Sequence, residues 1–168
     1  MRRTILLLSA MALVLSLAAG VALAQQFGDQ GGQGVTKTCN TSCSGTQYPD
    51  TLKGTSNRNH IDGEGTKESP NFGDLIQGFA NHDTLNGDKG GDKIEGGNGD
   101  DVVNGDDGND QVIGGSGNDH ISTGKGNDLV RAVDNQQDHV DCGQATSDRV
   151  FYDRNLDILS DCERRNAR

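Results

Sequence analysis

A nine-residue repeat constrains this chain more than any other feature. Five consecutive blocks read GDKGGDKIE from Gly87, GGNGDDVVN from Gly96, GDDGNDQVI from Gly105, GGSGNDHIS from Gly114 and TGKGNDLVR from Thr123. Each block has Gly at its fourth place, Asp at its sixth and a β-branched residue at its eighth. A short fixed period indicates a repetitive architecture and decides the fold class before local propensities are considered.

The unit Asp-x-apolar carries the same register well beyond these five blocks. Neighbouring units are nine or ten residues apart, except for one gap of fifteen. The six extra residues in that gap predict an insertion loop over residues 64–71, which contains Pro70. The sixth-place residues of the successive units are Asp50, Asn59, Asp74, Asp83, Asp92, Asp101, Asp110, Asp119, Asp128, Asp138, Asp148 and Asp157.

Each block combines a turn with a very short strand. Glycine supplies the close approaches and unusual backbone angles that tight turns need. In a three-residue strand the side chains alternate, so the eighth place points inward while the seventh and ninth point outward. The predicted core is therefore one thin apolar column. This repeat argues against a disordered acidic chain, which the 31% hydrophobic content and the absence of Trp would otherwise suggest.

The nonapeptide resembles the Gly-Gly-x-Gly-x-Asp-x-apolar-x repeat of the hemolysin-type, or repeats-in-toxin (RTX), calcium-binding family. The resemblance is best over residues 78–131. It implies an all-β, right-handed parallel β-roll in which two nonapeptides form one coil and calcium lies in the turns. We expect residues 39–161 to form this roll as a single domain.

Two blocks per coil would stack the aspartates along two edges of the roll. Block i then lies beside block i+2, about 4.8 Å away, where carboxylates repel by about 3–4 kcal/mol per pair at an effective dielectric constant near 20. Calcium relieves this repulsion because it accepts six to eight oxygen ligands, including carbonyls. Magnesium is the second choice, and solvated turn aspartates are the alternative without a metal.

The sequence thus predicts about four or more calcium ions. The proposed carboxylate ligands are Asp83, Asp92, Asp101, Asp110, Asp119 and Asp128, with Asp74 and Asp138 as flanking candidates beside the insertion or where glycines are missing. Backbone carbonyls in the glycine-rich turns complete the predicted sites, namely those of Gly87, Gly96, Gly105 and Gly114.

The four cysteines lie at the two ends of the repeat region. Cys142 and Cys162 follow units two blocks apart, so one strand separates them, which suits a disulfide. A local Cys39–Cys43 bridge would cap the first coil. Four cysteines allow three disulfide connectivities. The alternatives are zinc binding by the cysteines, or a redox role for Cys39 and Cys43.

The amino terminus has the pattern of a secretory signal peptide. Arg2 and Arg3 precede an apolar run, and Ala22-Leu23-Ala24 forms a small-x-small cleavage site, so we expect residues 1–24 to be removed. A membrane anchor is the alternative, but the run is short for a span of about 20 residues. Residues 25–38 are predicted to be a flexible leader, and residues 162–168 a basic, solvated tail.

Charge and motifs narrow the function. Loss of residues 1–24, which hold two Arg and no acid, takes the formal charge from −10 to −12, and such a chain repels nucleic acids and anionic lipids. No nucleophile elbow, zinc-protease helix or phosphate loop occurs, so we expect no enzyme. We also expect no membrane insertion. The favoured function is a secreted calcium-binding structural or interaction module, in the medium or on the cell wall. The alternative is a calcium-dependent adhesin or ligand binder that uses an outward face of the roll, with an unknown protein or glycan partner.

Overall fold

The computed structural model describes residues 34–64, 73–144 and 147–167, which form an all-β parallel solenoid of about seven turns. Every regular element in these residues is a strand of three to six residues. The strands are β1 Thr36–Thr38, β2 Ser42–Ser44, β3 Thr51–Lys53, β4 His60–Asp62, β5 Leu75–Ala80, β6 Thr84–Asn86, β7 Lys93–Asn98, β8 Val102–Asn104, β9 Gln111–Ser116, β10 His120–Ser122, β11 Leu129–Ala132, β12 His139–Asp141, β13 Arg149–Tyr152, β14 Ile158–Ser160 and β15 Arg164–Ala167.

Alternate strands belong to two different sheets. The odd-numbered strands form an eight-stranded sheet, the odd sheet, and the even-numbered strands form a seven-stranded sheet, the even sheet. All pairs are parallel, and Val112 of β9 is in register with Ile94 of β7 on one side and Val130 of β11 on the other. Each coil therefore contains two nonapeptides, which confirms the predicted stacking of block i on block i+2.

The core is the single column of eighth-place side chains between the two sheets. Each of these side chains is completely inaccessible to solvent, and their neighbours along the strands are half-buried or exposed. The predicted alternation is thus confirmed, and the column also brings in units that match the repeat only weakly. Its members are Leu52, Ile61, Ile76, Leu85, Ile94, Val103, Val112, Ile121, Val130, Val140 and Val150.

Both predicted disulfides are present and close the two ends of the solenoid. Cys142 and Cys162 have Cα atoms 5.1 Å apart, and both side chains are buried in the core. Cys39 pairs with Cys43, and Cys43 is in register with Ile61 in the core column.

The sheets extend beyond the bounds predicted from the repeat. Strand β1 lies in the segment predicted as a flexible leader, and β15 lies in the segment predicted as a solvated tail. Both differences have the same cause: these edge strands pair with β3 and β13 through backbone hydrogen bonds while their side chains stay largely exposed. They therefore carry no Asp-x-apolar pattern that could reveal them.

Several predicted segments fall outside the described residues. These are the signal peptide, residues 25–33 of the leader and residues 65–71 of the insertion loop. Within the described ranges, no helix has the length and apolar character needed to cross a membrane.

Candidate metal centre

The sixth-place aspartates stack into two columns, one at each edge of the solenoid. The first Asp column precedes the strands of the even sheet and contains Asn59, Asp83, Asp101, Asp119, Asp138 and Asp157. The second Asp column precedes the strands of the odd sheet and contains Asp50, Asp74, Asp92, Asp110, Asp128 and Asp148. The two predicted edges are confirmed, and nearly all of these side chains are buried.

One oxygen of each stacked carboxylate accepts a hydrogen bond from the backbone N–H of the preceding member of its column. The backbone N–H of Asp101 donates to Asp119 Oδ1 at 2.9 Å, and that of Asp92 donates to Asp110 Oδ1 at 2.8 Å. The same bond recurs along both columns at 2.7–3.0 Å, from Asn59 to Asp157 and from Asp50 to Asp148. These bonds hold each aspartate in one position between two coils.

The other oxygen has no partner in the middle of the columns. Oδ2 is buried without a hydrogen bond in Asp83, Asp92, Asp101, Asp110, Asp119, Asp128 and Asp148. An unsatisfied buried polar group costs about 1–3 kcal/mol, and more when it is charged. A repeated row of such oxygens therefore marks positions where a cation would be stabilised.

Three of the four members at the ends of the columns differ, because the protein itself satisfies both of their side-chain atoms. Asp50 accepts hydrogen bonds from the backbone N–H groups of Val35 and Thr46. Asp157 Oδ2 accepts one from the Asp153 N–H at 2.7 Å. Asn59 accepts from the Thr55 N–H and donates to the Cys39 carbonyl oxygen. Hydrogen bonds therefore cap three of the four column ends, whereas Asp148, at the fourth, has an unpartnered oxygen like the central members.

Glycine at the first place of a block makes room for the unpartnered oxygen. A Cβ at Gly87 would lie 2.5 Å from Asp92 Oδ2 and 2.9 Å from the carbonyl oxygen of Gly105. Side-chain carbons do not approach other atoms that closely, so a carboxylate oxygen and a carbonyl oxygen share the space that the missing side chain leaves. The carbonyls of Gly87, Gly96, Gly105 and Gly114 lie in this way beside Oδ2 of Asp74, Asp83, Asp92 and Asp101, respectively.

Burial raises the pKa of the stacked carboxyl groups well above the ordinary value. For Asp110 it raises the pKa to about 8; the backbone N–H of Asp92 lowers it, and the neighbouring carboxylates of Asp92 and Asp128 raise it further. Burial also raises the pKa of Asp101 to about 7 and that of Asp119 to about 6. The same cause raises it to about 7 in Asp74, about 6 in Asp92 and about 7 in Asp138. The negative charges are thus costly in the folded chain unless something neutralises them.

The structure places all eight predicted aspartates in the two columns. The six predicted with the best repeats all have the unpartnered Oδ2. Asp74 and Asp138, the flanking candidates, accept the column bond from the N–H groups of Asp50 and Asp119. Thr123 and Ala132 replace the first-place glycine in the blocks that contain Asp128 and Asp138.

Asp148 shares the unpartnered oxygen although it was not predicted as a ligand. Its Asp-x-apolar unit was visible in the sequence, since Asp148 precedes Arg149 and Val150. The missing glycines around it argued against a site. The register of the aspartate was therefore a better signal than the glycine content of its block.

The available ligand atoms favour a hard cation. No group of three or more His, Cys, Asp or Glu side chains in the described part of the chain is arranged to hold a metal ion. An ion in the columns would therefore combine few carboxylates with backbone carbonyls and water. Calcium tolerates such a flexible, carbonyl-rich oxygen shell, whereas magnesium requires a near-octahedral one.

Comparison with known proteins agrees with this geometry. A family model described as the RTX calcium-binding nonapeptide repeat (four copies) matches residues 44–66, 77–112 and 95–130. Searches of curated proteins and of solved structures gave no match. The matched residues include the coil that follows the Cys39–Cys43 bridge and the central blocks with unpartnered carboxylates, and the repeats of this family bind calcium. Residues 44–66 and 77–130 therefore carry repeats of the RTX calcium-binding nonapeptide family.

Proposed function

We propose that this protein is secreted, folds when it binds calcium, and then acts as a structural or interaction module at the cell surface or in the medium. The row of buried, unpartnered Oδ2 atoms carries this proposal. They need a cation, they recur with the repeat, and they are absent from the three column ends that hydrogen bonds cap. The family match supports calcium as that cation.

The proposed ligands are the carboxylates of Asp83, Asp92, Asp101, Asp110, Asp119 and Asp128, with Asp74, Asp138 and Asp148 as flanking members. Carbonyls of Gly87, Gly96, Gly105 and Gly114 would share these ions. About four ions follow from the best repeats, because a carboxylate and the one stacked above it would serve the same site.

Calcium would supply the stability that the core does not. The core is one side chain wide, and the chain without residues 1–24 carries a formal charge of −12. Apolar burial contributes about 25 cal/mol per Å², so a single column of Val, Ile and Leu offsets little of the entropy lost on ordering the turns. Binding energy released only in the folded state would add directly to folding stability.

Export is supported by two features of the sequence. Residues 1–24 have the charged, apolar and small-residue regions of a signal peptide. The paired cysteines suit an oxidising compartment, where disulfides persist. Extracellular calcium concentrations in the millimolar range also match the affinity of typical extracellular calcium modules, about 10⁻⁴ to 10⁻³ M.

The proposal includes neither catalysis nor a dedicated ligand-binding face. No known catalytic motif was found in the sequence. The outward seventh places of β6, β8 and β10 are Thr84, Val102 and His120, three unrelated side chains. A ligand-binding ladder would repeat one residue type from coil to coil, so a structural or interaction module is favoured over an adhesin.

An ion count tests the calcium proposal. The mature protein, freed of metals, is titrated with calcium in a calorimeter and separately with magnesium. We expect saturation at about four calcium ions per chain in the millimolar range, with magnesium much weaker. Absence of calcium binding up to 10-fold above about 1 mM would contradict the proposal.

A further inference from the structure

Two histidines lie side by side on the outer face of the even sheet, outside the Asp columns. His120 of β10 is in register with His139 of β12, and their ring centroids are 4.9 Å apart with planes inclined by 46°. Both side chains are exposed. Each follows a column aspartate, Asp119 or Asp138, but points to the opposite side of its strand, since alternate residues face opposite sides.

The distance between the rings suits coordination of one metal ion by both. Imidazole nitrogens bind zinc at about 2.0–2.1 Å, so two rings on a tetrahedral or square-planar ion have centroids about 4.5–5.2 Å apart. The observed 4.9 Å lies inside that range. Neighbouring strands already hold the two side chains at this separation, so binding needs rotation of the rings and no movement of the backbone.

The residues in register with the pair on the flanking strands are apolar. On the flanking strands the in-register residues are Val102 of β8 and Ile158 of β14, both exposed apolar side chains. No carboxylate occupies either flanking position. Asp119 and Asp138 also line the pocket beside the rings. The ligands that distinguish this position are the two imidazoles, which suit zinc, copper and nickel better than calcium.

We propose that His120 and His139 form a second metal site, distinct from the calcium sites, that binds a divalent transition metal such as Zn²⁺, Cu²⁺ or Ni²⁺. The two imidazoles supply two ligands, and water supplies the others. The site needs the stacked coils but uses none of the proposed calcium ligands. Its presence can therefore be measured in protein saturated with calcium.

The chain offers a matched control at His60. This residue occupies the same outward seventh place on β4, but its in-register neighbours are Ser42 and Thr84, so it has no second imidazole beside it. Its ring lies 3.3 Å from Asp62 Oδ2. Loss of His60 removes one imidazole from the same sheet without disturbing the pair.

Zinc titration by calorimetry, in saturating calcium, tests the site with wild type, His120→Ala, His139→Ala and His60→Ala. Wild type and His60→Ala should bind one zinc ion alike. Changes to groups that merely orient a ligand cost about 10–100-fold, so loss of either imidazole of the pair should weaken zinc binding by at least about tenfold. No zinc binding by wild type, or equal affinity in all four proteins, would overturn the proposal.

A measurement on wild type alone keeps the test independent of how the variants fold. The ring signals of the four histidines are followed by NMR as one equivalent of zinc is added in saturating calcium. Signals from His120 and His139 should shift together while those from His60 and His82 stay in place. Shifts confined to His60 and His82, or shifts in none of the four, would refute a site at the pair.

Discussion

A sixth-place aspartate does two things at once. Its Oδ1 accepts a backbone N–H from the preceding coil, and its Oδ2 presents a negative charge to the interior of the turn, as in Asp110. Asparagine can perform only the first of these tasks. Asn59, the asparagine of the first Asp column, makes different bonds: its Oδ1 accepts from the Thr55 N–H at 2.8 Å, its amide donates to the Cys39 carbonyl oxygen at 3.0 Å, and it leaves no charge to neutralise.

The different roles of Oδ1 and Oδ2 predict the effect of Asp110→Asn. The substitution keeps the Oδ1 acceptor but removes the charge that two proposed sites share, so calcium affinity should fall on the order of tenfold, or about 1.4 kcal/mol, with lower cooperativity. Asp138→Asn should cost less, because Asp138 lies where first-place glycines have been lost. Calorimetric titration with calcium measures both.

Glu95→Gln is the control for charge alone. Glu95 is an outward residue of β7 whose carboxylate accepts a hydrogen bond from Gln77 Nε2 at 3.2 Å. Its removal takes away one negative charge without touching a column, so calcium affinity should remain close to that of wild type. Equal losses in Asp110→Asn, Asp138→Asn and Glu95→Gln would argue against stacked, shared sites.

At the scale of the elements, each Asp column is a run of buried acids whose pKa values are raised to between about 6 and 8 in several members. A raised folded-state pKa stabilises the folded chain below the ordinary value of 3.8 and loses that contribution as the pH rises through 6–8. Without metal, the roll should therefore become more stable in acid.

Circular dichroism in metal-free buffer tests this pH dependence. The β-signal should be stronger at pH 5 than at pH 8, because protons then neutralise the columns. With calcium present we expect the opposite pH dependence. Protons compete with calcium for the carboxylates, so the calcium concentration at the folding midpoint should rise as the pH falls. A metal-free β-signal that grows from pH 5 to pH 8 would show that the columns are not the source of instability.

The last coils depend on a covalent link where glycines and unpartnered carboxylates become fewer. The Cys142–Cys162 bridge closes a segment with a sequence separation of 20. Loop entropy assigns such a bridge about 3 kcal/mol, and replacing both cysteines by Ala should lower the free energy of unfolding by about that amount. Denaturant unfolding in saturating calcium measures it.

The paired substitution of Cys39 and Cys43 provides the comparison. This bridge spans only four residues, so its loop-entropy contribution is smaller, about 2 kcal/mol. A larger loss at the amino-terminal bridge than at the carboxy-terminal one would mean that loop closure is not how these disulfides stabilise the ends.

The sequence predicts those elements whose side chains follow the repeat, and misses those held by backbone groups alone. The core column and the two edges followed from the period alone, because the eighth place and the sixth place each have one residue class. Strands β1 and β15 could not be predicted, since their pairing uses only backbone groups. The hydrogen-bonded caps at Asp50 and Asp157 also escaped, because they depend on N–H groups of irregular turns.

For the whole molecule, the solenoid combines a minimal core with a dense array of acids. Among the described residues, the fully buried large side chains are almost all members of one column. The unpartnered carboxylates lie on both sides of that column, along its central coils and at Asp148 in the last coil. Folding and calcium binding should therefore be one cooperative process along the stack, as expected when each coil contacts only its neighbours.

A calcium titration of the mature protein followed by far-ultraviolet circular dichroism is the decisive measurement of calcium-dependent folding. We expect a largely disordered spectrum in chelator at neutral pH, and a cooperative gain of β-structure as calcium reaches the millimolar range. Identical β-rich spectra with chelator and with calcium would contradict this expectation, because the folded columns would then need no cation.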